Sequence, residues 1–286
     1  MWILIEHVDN VKITGGGTLN AHGQNVWKYA DDQTHMPVSF TFQSSSKGDI
    51  SNLNLVDAMG FHSKMIDSID IQITNLKITA PGDSPNTDGI HLSNATNVNI
   101  TDTIIGTGDD CVSIGTGSTN VYVNRVKCGP GHGLAVGSLG KRPDELSVGK
   151  ITFINCSLTG TTNGCRIKSY HASPVLTATN IVFQDIIMDQ VKNPIIIDQH
   201  YDSKKNPEQS NVKISDAHFR NIKGTTISKI PIVLNCSSKV PCDGVELADI
   251  DLQPVAPLVA ADLSSECASA TNLKIGGTVN PKPPTC

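Results

Sequence analysis

The chain has 286 residues, with 22 Lys and Arg against 27 Asp and Glu, a formal charge of −5. That balance excludes a nucleic-acid binder working through bulk positive charge, and no apolar run approaches the roughly 18 residues a membrane span needs. Asn occurs 22 times beside 24 Gly, while charged residues make up only 17%, a composition of strands and turns rather than of Glu- and Lys-coated helices.

The first apolar stretch, Trp2-Ile3-Leu4-Ile5, is too short for a secretory leader and is followed at once by Glu6, so the sequence reads as a mature or truncated form. A short unit then recurs in which two apolar residues flank a polar one. Its copies are Val11-Lys12-Ile13, Ile71-Gln72-Ile73, Val98-Asn99-Ile100, Val121-Tyr122-Val123, Ile151-Thr152-Phe153, Ile181-Val182-Phe183, Val212-Lys213-Ile214, Val245-Glu246-Leu247 and Leu273-Lys274-Ile275. From Ile71 onward the copies start 27, 23, 30, 30, 31, 33 and 28 residues apart, and Ile50 starts a looser one. Alternation with period two signals short half-buried strands, and no segment carries a sustained helical stripe. Hairpin turns of the Asn-Gly type are scarce between copies, so the units do not read as a meander or sandwich. The expected fold is all-β: one domain, 1–286, forming a right-handed parallel β-helix of about ten coils, with Asn and Gly supplying turns of positive φ at the same place in each coil.

Eight cysteines, none in a CxxC pair or a zinc-like Cys/His cluster, suggest local disulfides made in an oxidising compartment. Pairing neighbours gives Cys111–Cys128, Cys156–Cys165, Cys236–Cys242 and Cys267–Cys286. Asn-x-Ser/Thr sequons at Asn94, Asn99, Asn155 and Asn235 agree with secretion and glycosylation.

Stacking turns sequence spacing into proximity, because adjacent strands lie roughly 4.8 Å apart. Asp110 lies 22 residues after Asp88 in Asn86-Thr87-Asp88-Gly89, and His132 of Gly131-His132-Gly133 lies 22 after Asp110. Arg166 lies 34 beyond His132, and Tyr201 lies 33 beyond Lys168. Each Asp beside Gly would, alone, read as a turn residue. Three carboxyl groups in register with a histidine and two cations read instead as an acid–base site, in which like charges hold at least one carboxyl protonated. Arg166 and Lys168 share one face of a strand and suit an anionic partner. Gly131 and Gly133 are expected to leave the imidazole open and let a ligand approach the backbone, and Gly106 and Gly108 to let the chain turn at the Asp109-Asp110 pair.

These four motifs, Asn86-Thr87-Asp88, Gly108-Asp109-Asp110, Gly131-His132-Gly133 and Arg166-Ile167-Lys168, resemble in this order those of the polygalacturonases, glycoside hydrolase family 28. Pro81-Gly82-Asp83-Ser84-Pro85-Asn86-Thr87-Asp88-Gly89-Ile90-His91 and Cys128-Gly129-Pro130-Gly131-His132-Gly133 resemble the plant branch, and Gly106-Thr107-Gly108-Asp109-Asp110 and Gly137-Ser138-Leu139-Gly140-Lys141 its pollen and exo-acting members, a group that includes allergens. The resemblance implies inverting hydrolysis of α-1,4 links between galacturonic acid units in pectin, with Asp109 as general acid, Asp88 and Asp110 activating water, and His132 holding the protonation state of the acid. Arg166, Lys168, Tyr201 and Asn86 would bind substrate. It implies no metal and no cofactor, a secreted monomer of the cell wall with pectin or oligogalacturonide as its only partner, and a capping region ahead of the first coil that this sequence does not show. One coil step of roughly 5 Å is shorter than the separation of about 6.5–9.5 Å usual for inversion, so spacing by itself favours retention. Endo-cleavage, calcium-dependent elimination and a non-catalytic carbohydrate-binding solenoid are the alternatives.

Overall fold

The computed structural model describes residues 1–30, 36–203 and 208–286. Apart from three single-turn 3-10 segments, at Gly23–Asn25, Trp27–Tyr29 and Ala260–Asp262, its regular structure is strand. All pairings are parallel, and they form one ten-stranded and one eighteen-stranded sheet. Each turn of the chain adds one strand to the first sheet and further pairings to the second, giving a right-handed parallel β-helix of ten coils, as the repeats predict.

The turns follow from residue type. Asn52, Asn75, Asp102, Arg125, Asn155, Asp185, Asn221 and Asp249 all have φ between 46° and 60°, and a second column runs through Asn10, Lys47, Asp70, Asn97, Asn120, Lys150, Asn180 and Asp216. Asn and Asp tolerate this left-handed region better than other side-chain-bearing residues. Stacked, they also bond one another: Asn120 Nδ2 donates to Asn97 Oδ1 (2.7 Å), and Asn97 Nδ2 to Asp70 Oδ1 (2.8 Å). Where Arg125 occupies the position, it forks onto Asp102 at 2.7 Å twice.

Inside the coils, like residues stack. Ile13, Ile50, Ile73, Ile100, Val123, Phe153, Phe183, Phe219 and Leu247 occupy successive rungs. The Phe153, Phe183 and Phe219 rings lie nearly parallel at 4.7 and 5.4 Å. This register corrects two of the repeat units. Ile50 is the third residue of its copy, Gly48-Asp49-Ile50, since Gly48 pairs with both Val11 and Ile71. Val212-Lys213-Ile214 pairs with Leu176-Thr177-Ala178, so the true partner of Ile181-Val182-Phe183 is Ala217-His218-Phe219. Strands Leu176–Val191 and Val212–Thr226 are long enough to hold two such triplets each, and alanine in the inward position hides the second.

Three of the four expected disulfides are formed: Cys111–Cys128, Cys236–Cys242 and Cys267–Cys286. Cys156 and Cys165 are free, buried thiols, and burial pushes Cys156 up to about 11. They are inert packing residues rather than a bridge.

Replacing Phe183 by Ala removes the middle ring of the aromatic stack, and the expected loss is about 3–5 kcal/mol of stability. A shift of the urea midpoint to lower denaturant measures it.

Candidate active site

The reactive residues gather where the chain enters successive strands of the ten-stranded sheet, and along that sheet's outward face. Asp88 lies just ahead of strand Ile90–Ser93, Asp110 just ahead of Val112–Ile114, and Lys168 within Asn163–Tyr170. Asn86, Asp88, Asp109, Asp110, Lys168 and Tyr201 line one cleft of about 360 Å³. His132 and Arg166 do not line it; His132 reaches it through Asp109, and Arg166 through Tyr201.

Adjacent Asp109 and Asp110 both reach the cleft because the chain bends between strands Ile104–Gly106 and Val112–Ile114. The glycines act by removing bulk. A Cβ on Gly108 would lie 2.0 Å from the Ser84 carbonyl oxygen, and one on Gly106 2.7 Å from that of Gly129. The same holds around His132. A Cβ on Gly133, whose φ is +89°, would lie 2.1 Å from the Asn163 carbonyl oxygen, so neighbouring backbone, not ligand, fills the space these glycines leave.

Charge is matched pair by pair. Lys168, 6% exposed, donates from Nζ to Asp110 Oδ2 at 2.6 Å. His132 Nδ1 lies 2.9 Å from Asp109 Oδ1, and the Asp110 amide donates to that same oxygen at 2.8 Å. Among the described residues no cation lies within ion-pair distance of Asp88; Ser113 Oγ donates to its Oδ2 at 2.8 Å. The consequences follow from burial and these partners. Burial, then repulsion from Asp109 and Asp110, raises Asp88 well above the usual carboxylate range. Burial also raises Asp110, against the pull of Lys168. Burial pushes Asp109 the same way but is outweighed by the His132 hydrogen bond and charge and by Lys168, so Asp109 is lowered. The hydrogen bond to Asp109 raises His132. Lys168, despite burial, is held protonated by Asp110. Fully charged, three carboxylates face two cations. A proton on Asp88 makes the group neutral.

Further residues in the cleft were not singled out from sequence. His91 Nδ1 lies 2.8 Å from Ser113 Oγ, and burial followed by repulsion from Lys64, Lys168 and Arg142 holds this imidazole down at about 3, so it stays neutral. Because Ser113 gives its proton to Asp88, its lone pair accepts from His91 Nδ1–H. Lys64, His91 and Ser113 are direct cross-strand neighbours. The signal was available: His91 is 27 residues past Lys64 and Ser113 is 22 past His91, the spacing that relates Asp88 to Asp110. Phe61, Met36 and Val38 add an apolar wall, and Tyr170 packs edge-on against Tyr201 at 5.2 Å.

Asp109, Asp110 and His132 each offer one donor atom, all within 4.8 Å of one another. A metal ion there would compete with the Lys168 ammonium on Asp110 and with the proton between Asp109 and His132, so the set fits proton transfer better than metal binding.

Comparison with known sequences and folds settles the family. The model of "Glycosyl hydrolases family 28" matches residues 1–276. The chain belongs to that family. An exopolygalacturonase of Arabidopsis thaliana is 49% identical over 260 residues, covering 89% of this chain and 61% of the relative. A polygalacturonase of Brassica napus is 40% identical over 291 residues, covering 98% and 72%. This family 28 chain therefore spans between 61% and 72% of those two relatives' lengths. Its fold superimposes on endo-xylogalacturonan hydrolase from Aspergillus tubingensis with a TM-score of 0.85 at 24% identity, covering 98% of this chain and 80% of that one. Among the described residues, no helix is long and apolar enough to cross a membrane.

Lys168 was expected mainly to bind substrate, yet its ammonium is already engaged inside the protein. Lys168→Met should therefore destabilise the fold by about 3–5 kcal/mol near neutral pH, because it strands a buried Asp110 carboxylate. A carboxyl raised in the folded state binds its proton more tightly folded than unfolded, so the deficit shrinks as pH falls. Denaturation of the variant at pH 4 and pH 7 checks the sign.

Proposed function

We propose that this protein hydrolyses α-1,4-galacturonosidic links of de-esterified pectin by inverting acid–base catalysis, removing single residues from the chain end. The observation that carries the reading is the convergence of three carboxyl groups on one cleft, with His132 Nδ1 2.9 Å from Asp109, the Lys168 ammonium 2.6 Å from Asp110 and Asp88 hydrogen-bonded to Ser113.

Asp109 is the general acid. In the open cleft its pair with His132 favours the imidazolium–carboxylate form. A sugar that fills the cleft expels water, and burial favours the neutral pair, which moves the proton from Nδ1 to Oδ1. Asp109 then delivers it to the leaving glycosidic oxygen as the bond to the anomeric carbon breaks. His132, with 40% of its side chain exposed, can regain a proton from solvent. Water attacks the anomeric carbon from the opposite face and loses a proton to Asp110, whose buried Oδ1 has no hydrogen-bond partner. Asp88, holding the pair's single proton, donates to the water and positions it. Tyr201, with the Arg166 guanidinium and the Lys168 ammonium each 5.1 Å from its ring centre, forms a cationic, aromatic pole for a substrate carboxylate, and Asn86 borders the same cleft.

Attack at the chain end is supported by the wall of Met36, Val38, Gly60 and Phe61 beside the carboxyl groups, and by relatives named exopolygalacturonase in Arabidopsis thaliana and Zea mays. Three disulfides support secretion, and we read the protein as a monomeric enzyme acting on its substrate in the plant cell wall.

Digestion of hexagalacturonate, followed by chromatography and by proton NMR of the first products, should show monomer and pentamer before any intermediate size, with the new reducing end first appearing as the β-anomer. Asp109→Asn should leave melting unchanged and abolish turnover; undiminished turnover would remove Asp109 from its role. Because the raised His132 must be protonated to recharge Asp109, activity should fall as pH rises through a value above the ordinary imidazole range. His132→Gln should lower kcat and erase that alkaline limb, which a pH–rate profile reads directly.

A further inference from the structure

Three lysines line the cleft, Lys64, Lys141 and Lys168, and Lys64 is one that, among the described residues, no carboxylate pairs with. Lys64 lies on the outward face of strand Ser63–Ile66, directly beside His91 and two rungs from Ser113. Its ammonium sits 4.0 Å from the centre of the Phe61 ring. Among the described residues, no carboxylate comes within ion-pair distance of it, whereas Lys168 is closed onto Asp110. Burial, the dominant influence, lowers Lys64 somewhat, and the facing charges are Asp88, which opposes that shift, and Arg142, which adds to it. The neighbours on its own face, His91 and Ser113, are uncharged and engaged with each other.

Four rungs separate Lys64 from Arg166 along the column Lys64, His91, Ser113, Ala135, Arg166, about 19 Å at the backbone. The catalytic carboxyl groups lie between these two cationic poles. Every ring of a galacturonan carries a carboxylate, so both rings flanking the cleaved bond bring a negative charge toward three acidic side chains, and each needs a local cation. Arg166 and Tyr201, backed by the Lys168 ammonium that is closed onto Asp110, serve one ring. The other faces the wall of Phe61, Met36 and Val38, where Lys64 stands over the Phe61 ring; the third lysine of the cleft, Lys141, lies instead over Tyr170, 5.6 Å from its ring centre, on the side of Tyr201.

We propose that Lys64 is a specificity-determining residue that binds the carboxylate of the terminal, non-reducing ring, so that the enzyme requires a free acid and not a methyl ester at that position. The inference rests on the chain-end hydrolase reading above. Phe61 holds the ammonium in place while leaving its N–H groups free to donate.

The test compares the full-length protein with Lys64→Met, Lys64→Gln and Lys64→Arg on two trigalacturonides, one fully de-esterified and one methyl-esterified only on the non-reducing ring. On the free acid, the Met and Gln variants should lose about 10-fold to 100-fold in kcat/KM, mostly through KM, as expected for one charge-assisted hydrogen bond. Lys64→Arg should recover most of it. On the ester, wild type and variants should be cut equally slowly. If Lys64 merely balanced the charge of Asp88, the variants would lose the same factor on both substrates and shift the pH–rate profile, and either result overturns the proposal. Unchanged kcat/KM on the free acid, in variants that melt like wild type, also overturns it while leaving the hydrolase reading intact. Failure of the wild type to cut either trimer overturns both.

Discussion

Everything chemical in this molecule depends on parallel coil-on-coil register. Asp88, Asp109 and Asp110, His132, Lys168 and Tyr201 span more than a hundred positions of sequence, and no local element could gather them. They meet because Ile90 pairs with Val112, Val112 with Leu134, and Leu134 with Cys165, so a residue's height along the solenoid is fixed by its coil and its azimuth by its place within the coil. The register is held on two sides at once. Inward, the column from Ile73 to Phe219 fixes the pleat, since a slip of one residue would turn every inward side chain outward. At the corners, the columns of Asn and Asp with positive φ fix where each turn falls. The unbranched glycines at the site belong to the same constraint: at Gly108 and Gly133 neighbouring backbone comes too close for any Cβ.

That scaffold allows an electrostatic arrangement a flexible site could not keep. Three carboxyl groups crowd the space around a rung spacing of about 4.8 Å, and the cost is met in two ways. Asp109 and Asp110 each hold a cation within hydrogen-bond range, His132 at 2.9 Å and Lys168 at 2.6 Å. Asp88, with neither, is pushed by burial and by its two acidic neighbours well above the usual carboxylate range, which favours its protonated form. The proton-rich carboxyl of the open cleft is therefore Asp88, not the residue assigned to donate. Asp109 is the proposed donor because its proton can be replaced through an imidazole that touches solvent, whereas Asp88, which also lines the cleft, is backed by Ser113 and by His91, an imidazole held neutral.

Much of this was legible in the sequence, and the parts that were not share a cause. Apolar-polar-apolar triplets and the motif order gave the parallel solenoid and all eight candidate residues, of which six line the cleft. What failed was register where side chains are small: Ala217 hides the inward rung beside Phe219, and the more obvious Val212-Lys213-Ile214 belongs to another triplet of the same long strand. Cysteine spacing gave three bridges correctly, but nearness in sequence misled at Cys156 and Cys165, which sit within the packed core as ordinary apolar rungs. Lys64, His91 and Ser113 escaped because each sits within a strand, where a polar residue reads as solvent-facing alternation, although their spacing of 27 and 22 residues is that of the coils themselves.

The overall charge of −5 would seem to argue against a polyanionic substrate. Screening reduces that objection, since exposed charges farther apart than roughly 8–10 Å hardly sense one another in physiological salt. Inside the cleft the distances are shorter and water is scarce, so what matters there is the local sum. With Asp88 protonated, the pairs of Asp109 with His132 and of Asp110 with Lys168 cancel, and Lys64 and Lys141 within the cleft and Arg166 beside it are left as net positive charges. An acidic protein thus offers a polyanion a cleft that is neutral at its centre and cationic at both ends. Deprotonating Asp88 would add a negative charge between the two poles, and so oppose both substrate binding and the uptake of the proton lost by water.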